Sequence, residues 1–232
     1  MPPQAPTTAA LLMLADSRLP AGGHAHSGGL EPAVAARRVS TVEDLEVFLR
    51  GRLRTAGLVA AALAAAACFG ASRVDTEFWT ALDAEADART PSPALRLASR
   101  RQGRGLLRAG RAAWPDPVLG RLAATAPARE PHHPVALGAV GASAGCDPLG
   151  VAGVAAYLSV SGPAGAAVRL CGLDPLAVHA VLAGLASEVD RVGAEATAAA
   201  RGPVRDLPSA TAPVLDVLAE THARTEVRLF AS

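Results

Sequence analysis

Long apolar stretches separated by proline- and glycine-rich breaks dominate the chain, and the breaks predict where its helices begin and end. Thr7 or Thr8 caps a short helix through Ala15, and Leu30 to Arg37 forms a second. Ser40-Thr41-Val42-Glu43 has the spacing of a capping box, so a long helix begins at Thr41 and runs to about Phe69, with Gly51 and Gly57 as its weak points. Asp75 or Thr76 caps the next helix, which ends before Pro91. Ser92 then Pro93 is a cap followed by proline at the first helical position, and that helix stops at Pro115. Ala126 to Pro134 reads as a loop. Val135 to Val168 contains a single charge, Asp147, which predicts a buried helix pair broken near Asp147-Pro148 and again near Gly162-Pro163. Asp174-Pro175 opens a helix to about Ala200 with a break at Gly193. Gly202 to Pro213 is a connector, and the last helix runs from Val214 to about Leu229.

These elements predict an all-α, single-domain bundle of about ten helices over residues 1–232, without hairpins or internal repeats. Composition sharpens this. Half of the residues are apolar but only 3% are aromatic, so the core must be built from Ala, Leu and Val, and Ala is the best helix former. Thr55 to Ser72 carries no charge and approaches the length that spans a bilayer, yet most of it is Ala; it reads as a buried core helix, and no membrane partner is expected.

The net charge of +1 gives no general affinity for polyanions, and no nucleic-acid partner is expected. All 22 basic residues are Arg, which excludes a lysine-dependent phosphate loop and Schiff-base chemistry. Cys68, Cys146 and Cys171 form no C-x-x-C pair. They read as buried thiols in a reducing compartment, and with no secretory signal at the start the expected location is cytoplasmic.

Three constellations carry candidate chemistry. Gly141-Ala142-Ser143-Ala144-Gly145 matches the G-x-S-x-G nucleophile elbow, with Asp174 and then His179 or His222 following in hydrolase order. An elbow needs a strand before the serine, and Ala136 to Val140 is poor strand material. The small residues are therefore read as close helix packing, with a serine hydrolase using Ser143 as the alternative. His24-x-His26 and His132-His133 could ligate a metal, but no carboxylate or thiolate stands beside either at a recognised spacing, so no metal or cofactor is assigned. Arg96, Arg100, Arg104 and Arg108 recur every four residues on one helical face. The preceding helix holds Asp75, Glu77, Asp83, Glu85 and Asp87 without a base. Either the two helices pair with each other or the arginine face is simply solvated, or Arg100, Arg104 and Arg108 dock an acidic partner.

The run Leu12 to Glu31 resembles the N-terminal signature of the UreF family of urease accessory proteins, through Leu14, Ser17, Pro20, Gly22, Gly23, His26, Ser27, Gly29, Leu30 and Glu31. His24 stands where that family usually has an aromatic residue. Ser99-Arg100-Arg101-Gln102-Gly103 with Leu106 and Leu107, His132-His133-Pro134-Val135, and Ala155-Ala156-Tyr157-Leu158 are similar to further family stretches. The terminus Arg228-Leu229-Phe230-Ala231-Ser232, with His222 upstream, resembles the family's end. Cys171 to Pro175 departs from a glutamine-containing segment of many members.

The resemblance implies a helical, non-enzymatic accessory factor in nickel insertion into urease. It implies association with a UreD/UreH-type accessory protein, a UreG-type GTPase and the urease apoprotein, and homodimerisation within the complex. The two ends are expected to form the partner-binding apparatus. At the start these are His24, His26, Ser27 and Glu31; at the finish His222, Arg228, Leu229 and Phe230, with 228–232 as a tail that orders on docking.

Overall fold

A core with almost no aromatic residues can be filled only if helix backbones come close together. In the computed structural model, which describes residues 8–22, 26–73, 75–126, 130–225 and 229–230, the chain is helical, with no strand among the described residues. In chain order the helices are α1 (Thr8–Ala15), α2 (Leu30–Ala35), α3 (Val42–Arg52), α4 (Leu58–Phe69), α5 (Thr76–Ala88), α6 (Pro93–Ala113), α7 (Pro117–Thr125), α8 (His133–Ser143), α9 (Pro148–Cys171), α10 (Pro175–Gly184), α11 (Ala186–Ala199) and α12 (Pro213–Ala223). All-α architecture is as the sequence predicts.

The helix starts follow side-chain chemistry. Asp75, Ser92, Asp116, Asp147 and Asp174 each cap a helix by accepting a backbone N–H in its first turn. The box at α3 closes one residue later than Ser40–Glu43 implies. Thr41 accepts from the Asp44 N–H at 3.2 Å, while the Asp44 carboxylate accepts from the Ser40 and Thr41 N–H groups at 3.0 and 3.1 Å. Helix α7, which the sequence reading passes over, carries the same cap-then-proline signal at Asp116-Pro117.

Helix α4 is the centre. Its Ala61, Ala62 and Ala64 to Ala67 are buried, and it packs against α8, α9 and α11. Small residues set the approach distance: a Cβ at Gly138 of α8 would lie 2.2 Å from the Ala64 carbonyl oxygen and 2.5 Å from the Ala67 Cβ. The stretches Val42–Ser72 and Pro148–Cys171 are long and apolar enough to cross a membrane, but here their apolar faces form the interior of the bundle.

Four boundaries differ from expectation. Helices α3 and α4 form one rod through the π-helical segment Leu53–Gly57, so the glycine weak point is a register change. Helix α9 does not break at Pro163. Proline lacks the N–H that would bond the carbonyl four residues back, at Ser159, and the Arg52 Nε takes that carbonyl at 2.9 Å. The break expected at Gly193 falls instead at buried Leu185, between α10 and α11, because Gly193 is used where α11 crosses α9: a Cβ there would sit 3.3 Å from Gly153 Cα. Helix α12 ends at Ala223 rather than near Leu229, because residues 229–230 turn back onto Glu31.

Gly138→Ala should overpack the α4–α8 contact. The expected cost is about 1–3 kcal/mol, read as a melting temperature lower by roughly 2–12 °C; an unchanged melting temperature would show that the helices separate freely.

Candidate partner-binding site

The two terminal motifs meet. Ser27, fully buried, places its Oγ to accept the Glu31 N–H at 3.2 Å, which fixes the entry to α2. The Glu31 carboxylate then accepts the backbone N–H groups of Leu229 at 2.8 Å and Phe230 at 2.9 Å. His222 of α12 brings its Nε2 to 3.3 Å from both Glu31 Oε2 and the Phe230 carbonyl oxygen. One carboxylate thus ties the start of the chain to its end.

Phe230 is only 6% exposed, and the Arg169 guanidinium lies 4.5 Å above its ring. The expectation that Phe230 is held out for a partner is corrected: its ring seals the domain's own core. Leu229 is the residue this clamp turns outward, 73% exposed. His24 and Arg228 lie outside the described residues. His26 lines a cleft with His133.

The arginine face divides in the same way. Arg100 points inward: its Nη2 donates to Asp83 Oδ2 and Asp87 Oδ2, each at 2.8 Å, and its Nη1 donates to the Glu130 carbonyl at 2.8 Å. Its assignment to partner docking is therefore corrected, because Asp83 is buried and would be left as an uncompensated charge. Arg104 is exposed and pairs with Glu130 at 2.6 Å, a surface contact that costs little to open. Arg108 is exposed. The stripe is thus split: Arg100 pairs within the molecule, and Arg104 and Arg108 lie at its surface.

Asp87 continues into a relay that spacing alone does not show. His132, 1% exposed, donates from Nε2 to Asp87 Oδ1 at 2.8 Å and accepts at Nδ1 from Ser99 Oγ at 3.0 Å, a tautomer fixed by these partners. Ser99 Oγ also accepts the His133 N–H at 3.1 Å. Burial pushes the Asp87 carboxyl up, but the His132 hydrogen bond and the Arg100 charge outweigh it and hold the group below its ordinary value. Burial of His132 outweighs the Asp87 bond and pushes the imidazole down.

Both His132 nitrogens are thus engaged, and no group of three or more metal-ligating side chains occurs among the described residues. The relay joins α5, α6 and α8 and reads as structural. Ser143 is likewise a helix residue: its Oγ donates to the Ala139 carbonyl at 3.0 Å, and Gly141 gives Val151 room to pack. The elbow geometry that a Ser143 nucleophile requires is absent.

The family model UreF matches residues 39–186. The urease accessory protein UreF of Mycobacterium sp. (strain JLS) is 50% identical over 226 residues, covering 97% of this chain and 99% of that protein. The corresponding proteins of Mycolicibacterium vanbaalenii and Mycobacterium tuberculosis (strain H37Rv) are 45% and 44% identical over 224 residues, each covering 97% of this chain and 98% of its relative. The chain belongs to the UreF family. Within it, the first and last signature motifs are the two halves of the Glu31–His222 clamp, and the middle motifs Ser99–Gly103 and His132–Val135 are two sides of the relay.

Arg100→Glu would set a third carboxylate against Asp83 and Asp87 and should cost about 3–5 kcal/mol. Arg104→Glu and Arg108→Glu should leave the melting temperature nearly unchanged. Equal effects of all three reversals would contradict the division of the stripe.

A pH dependence follows from His133. Burial first, and His26 nearby second, push its imidazole down to about 4 from an ordinary 6.5. The unfolded chain therefore takes up a proton near pH 6.5 that the folded chain refuses until about 4. Stability is fully present above pH 6.5 and declines as pH falls toward 4. Chemical denaturation from pH 7 to 4 should show a flatter decline in His133→Gln.

Proposed function

We propose that this chain is a non-enzymatic scaffold in urease maturation that holds a UreD/UreH-type accessory protein, a UreG-type GTPase and the urease apoprotein together while nickel is inserted. It works in the cytoplasm, as a homodimer within that complex, with neither nucleic acid nor membrane as a partner. The observation that carries the reading is the terminal clamp. Two signature motifs of a urease accessory family converge on Glu31, which ties the two ends of the chain into one surface.

The chain offers two kinds of contact. Exposed Leu229 is an apolar anchor fixed by backbone bonds to Glu31, so little ordering entropy opposes its burial. Arg104 and Arg108 give a cationic face for an acidic partner, whose attraction weakens with salt over a screening length of about 10 Å at 0.1 M. A scaffold of this kind influences a GTPase by binding one of its states more tightly than another, so its effect is bounded by that difference in affinity.

Co-purification with each of the three partners singly tests the reading. Wild-type chain is expected to retain the UreD/UreH-type partner. Leu229→Asp, and the double variant Arg104→Glu with Arg108→Glu, are expected to keep the melting temperature and lose at least one partner, with urease activation falling in step. Normal activation in both variants would move the docking surfaces elsewhere, and a wild-type chain that retains none of the three would overturn the scaffold.

A further inference from the structure

A cleft of about 810 Å³ opens between the N-terminal segment, the α3–α4 rod and helices α6, α8, α9 and α10. A smaller cavity of about 220 Å³ adjoins it, and the two share a wall that includes His26, Gly28, Arg52, Gln102, His133 and Pro134. Neither the terminal clamp nor the relay uses the Arg52 and Gln102 side chains or the His133 ring.

Arg52 is the unusual group. Its Nε is accounted for by the carbonyl that Pro163 leaves free, at 2.9 Å. Its two η nitrogens have no hydrogen-bond or ion-pair partner among the described residues, and the side chain lines both cavities. Burial lowers its pKa to about 10, which still leaves it charged at neutral pH. Arg52 is part-buried, and its η nitrogens face the two cavities without a counter-charge from the described residues, which leaves them open to an anion.

The surroundings favour an anion. Arg169, also without an ion pair among the described residues, lines the larger cleft from its place over Phe230. Among the described residues the one carboxylate lining that cleft, Asp16, pairs with Arg18 at 2.6 Å, and Asp216 lines the smaller cavity. The Gln102 carboxamide and the His133 ring have no hydrogen-bond partner among the described residues. Polar side chains without a protein partner converge on one concave wall that solvent reaches, which leaves their donors for a ligand to take.

We propose that this cleft binds a small soluble oxyanion, a carboxylate or phosphate, gripped by the η nitrogens of Arg52, with Gln102 and His133 as neutral hydrogen-bonding partners. The planar fork of a guanidinium matches two oxygens of such a group in parallel, which an ammonium cannot do. Gly28 keeps the site open. It adopts φ +61°, and a Cβ there would stand 3.2 Å from the Arg52 Cζ and 2.8 Å from Pro163 Cγ. The site stands apart from the scaffold role and needs no partner protein.

The test uses the full chain, with inorganic phosphate and succinate as probes in calorimetric and thermal titrations at constant ionic strength against chloride. At least one probe is expected to bind saturably and, at about ten times its Kd, to raise the melting temperature by roughly 3–6 °C. Arg52→Gln should weaken that binding at least tenfold, with Arg52→Lys intermediate because it keeps the charge but not the fork. Gln102→Leu should weaken it several-fold while leaving the melting temperature without probe unchanged, and it decides the matter if Arg52→Gln folds poorly. The proposal is overturned if neither probe shifts the wild-type chain beyond chloride, or if binding is the same in wild type, Arg52→Gln and Gln102→Leu.

Discussion

Close backbone approach is the constraint on which this structure depends. With so few aromatic side chains to fill space, the core reaches interior density only if helices lie nearer together than Leu-rich bundles require. Alanine on α4 and glycine on α8 and α11 provide that. They also explain why an uncharged stretch of near-spanning length is the innermost element of a helical bundle. Dense packing of small residues leaves little tolerance for added volume, so the core specifies its register through contacts such as Gly138 against Ala64.

Small side chains cannot by themselves tie down the segments outside this core, and arginine with its carboxylate and carbonyl partners does so instead. Arg100 bridges Asp83 and Asp87 between α5 and α6. Arg89 pairs with Glu85 and donates to the carbonyls of Arg205, Leu207 and Pro208, which fastens the connector before α12. Glu220 accepts from Ser92 and from the Ala94 N–H at 2.9 Å, docking α12 onto the start of α6. Glu31 completes the set by holding the end of the chain. A lysine could replace none of the multidentate contacts of Arg89 or Arg100, because it lacks the planar fork.

These ties sort the motif and stripe residues into three groups. Ser27, Glu31, Arg100, His132, His222 and Phe230 act inside the molecule, where they set the position of neighbouring surfaces. Leu229, Arg104 and Arg108 remain on the outside. Arg52, Gln102 and His133 face an interior cleft instead. A motif residue can thus fix where an exposed neighbour stands without being exposed itself.

The sequence by itself determined the all-α class, most of the helix starts and the family, because these rest on local chemistry: caps, prolines at first turns, alanine content, and short motifs with their own spacing. Where local signals competed, tertiary structure decided. Proline at position 163 reads as a break, yet Arg52, distant in sequence, takes the orphaned carbonyl and the helix continues. Glycine at 193 reads as a break, yet it serves a helix crossing. The division of the arginine stripe was equally illegible, since a four-residue repeat gives one face but not what lies against it. Meeting of Glu31 with Leu229 and Phe230 joins residues nearly two hundred positions apart, and the cleft wall draws on segments scattered through the chain. Such contacts follow from how helices pack around α4, which periodicity along the chain does not encode.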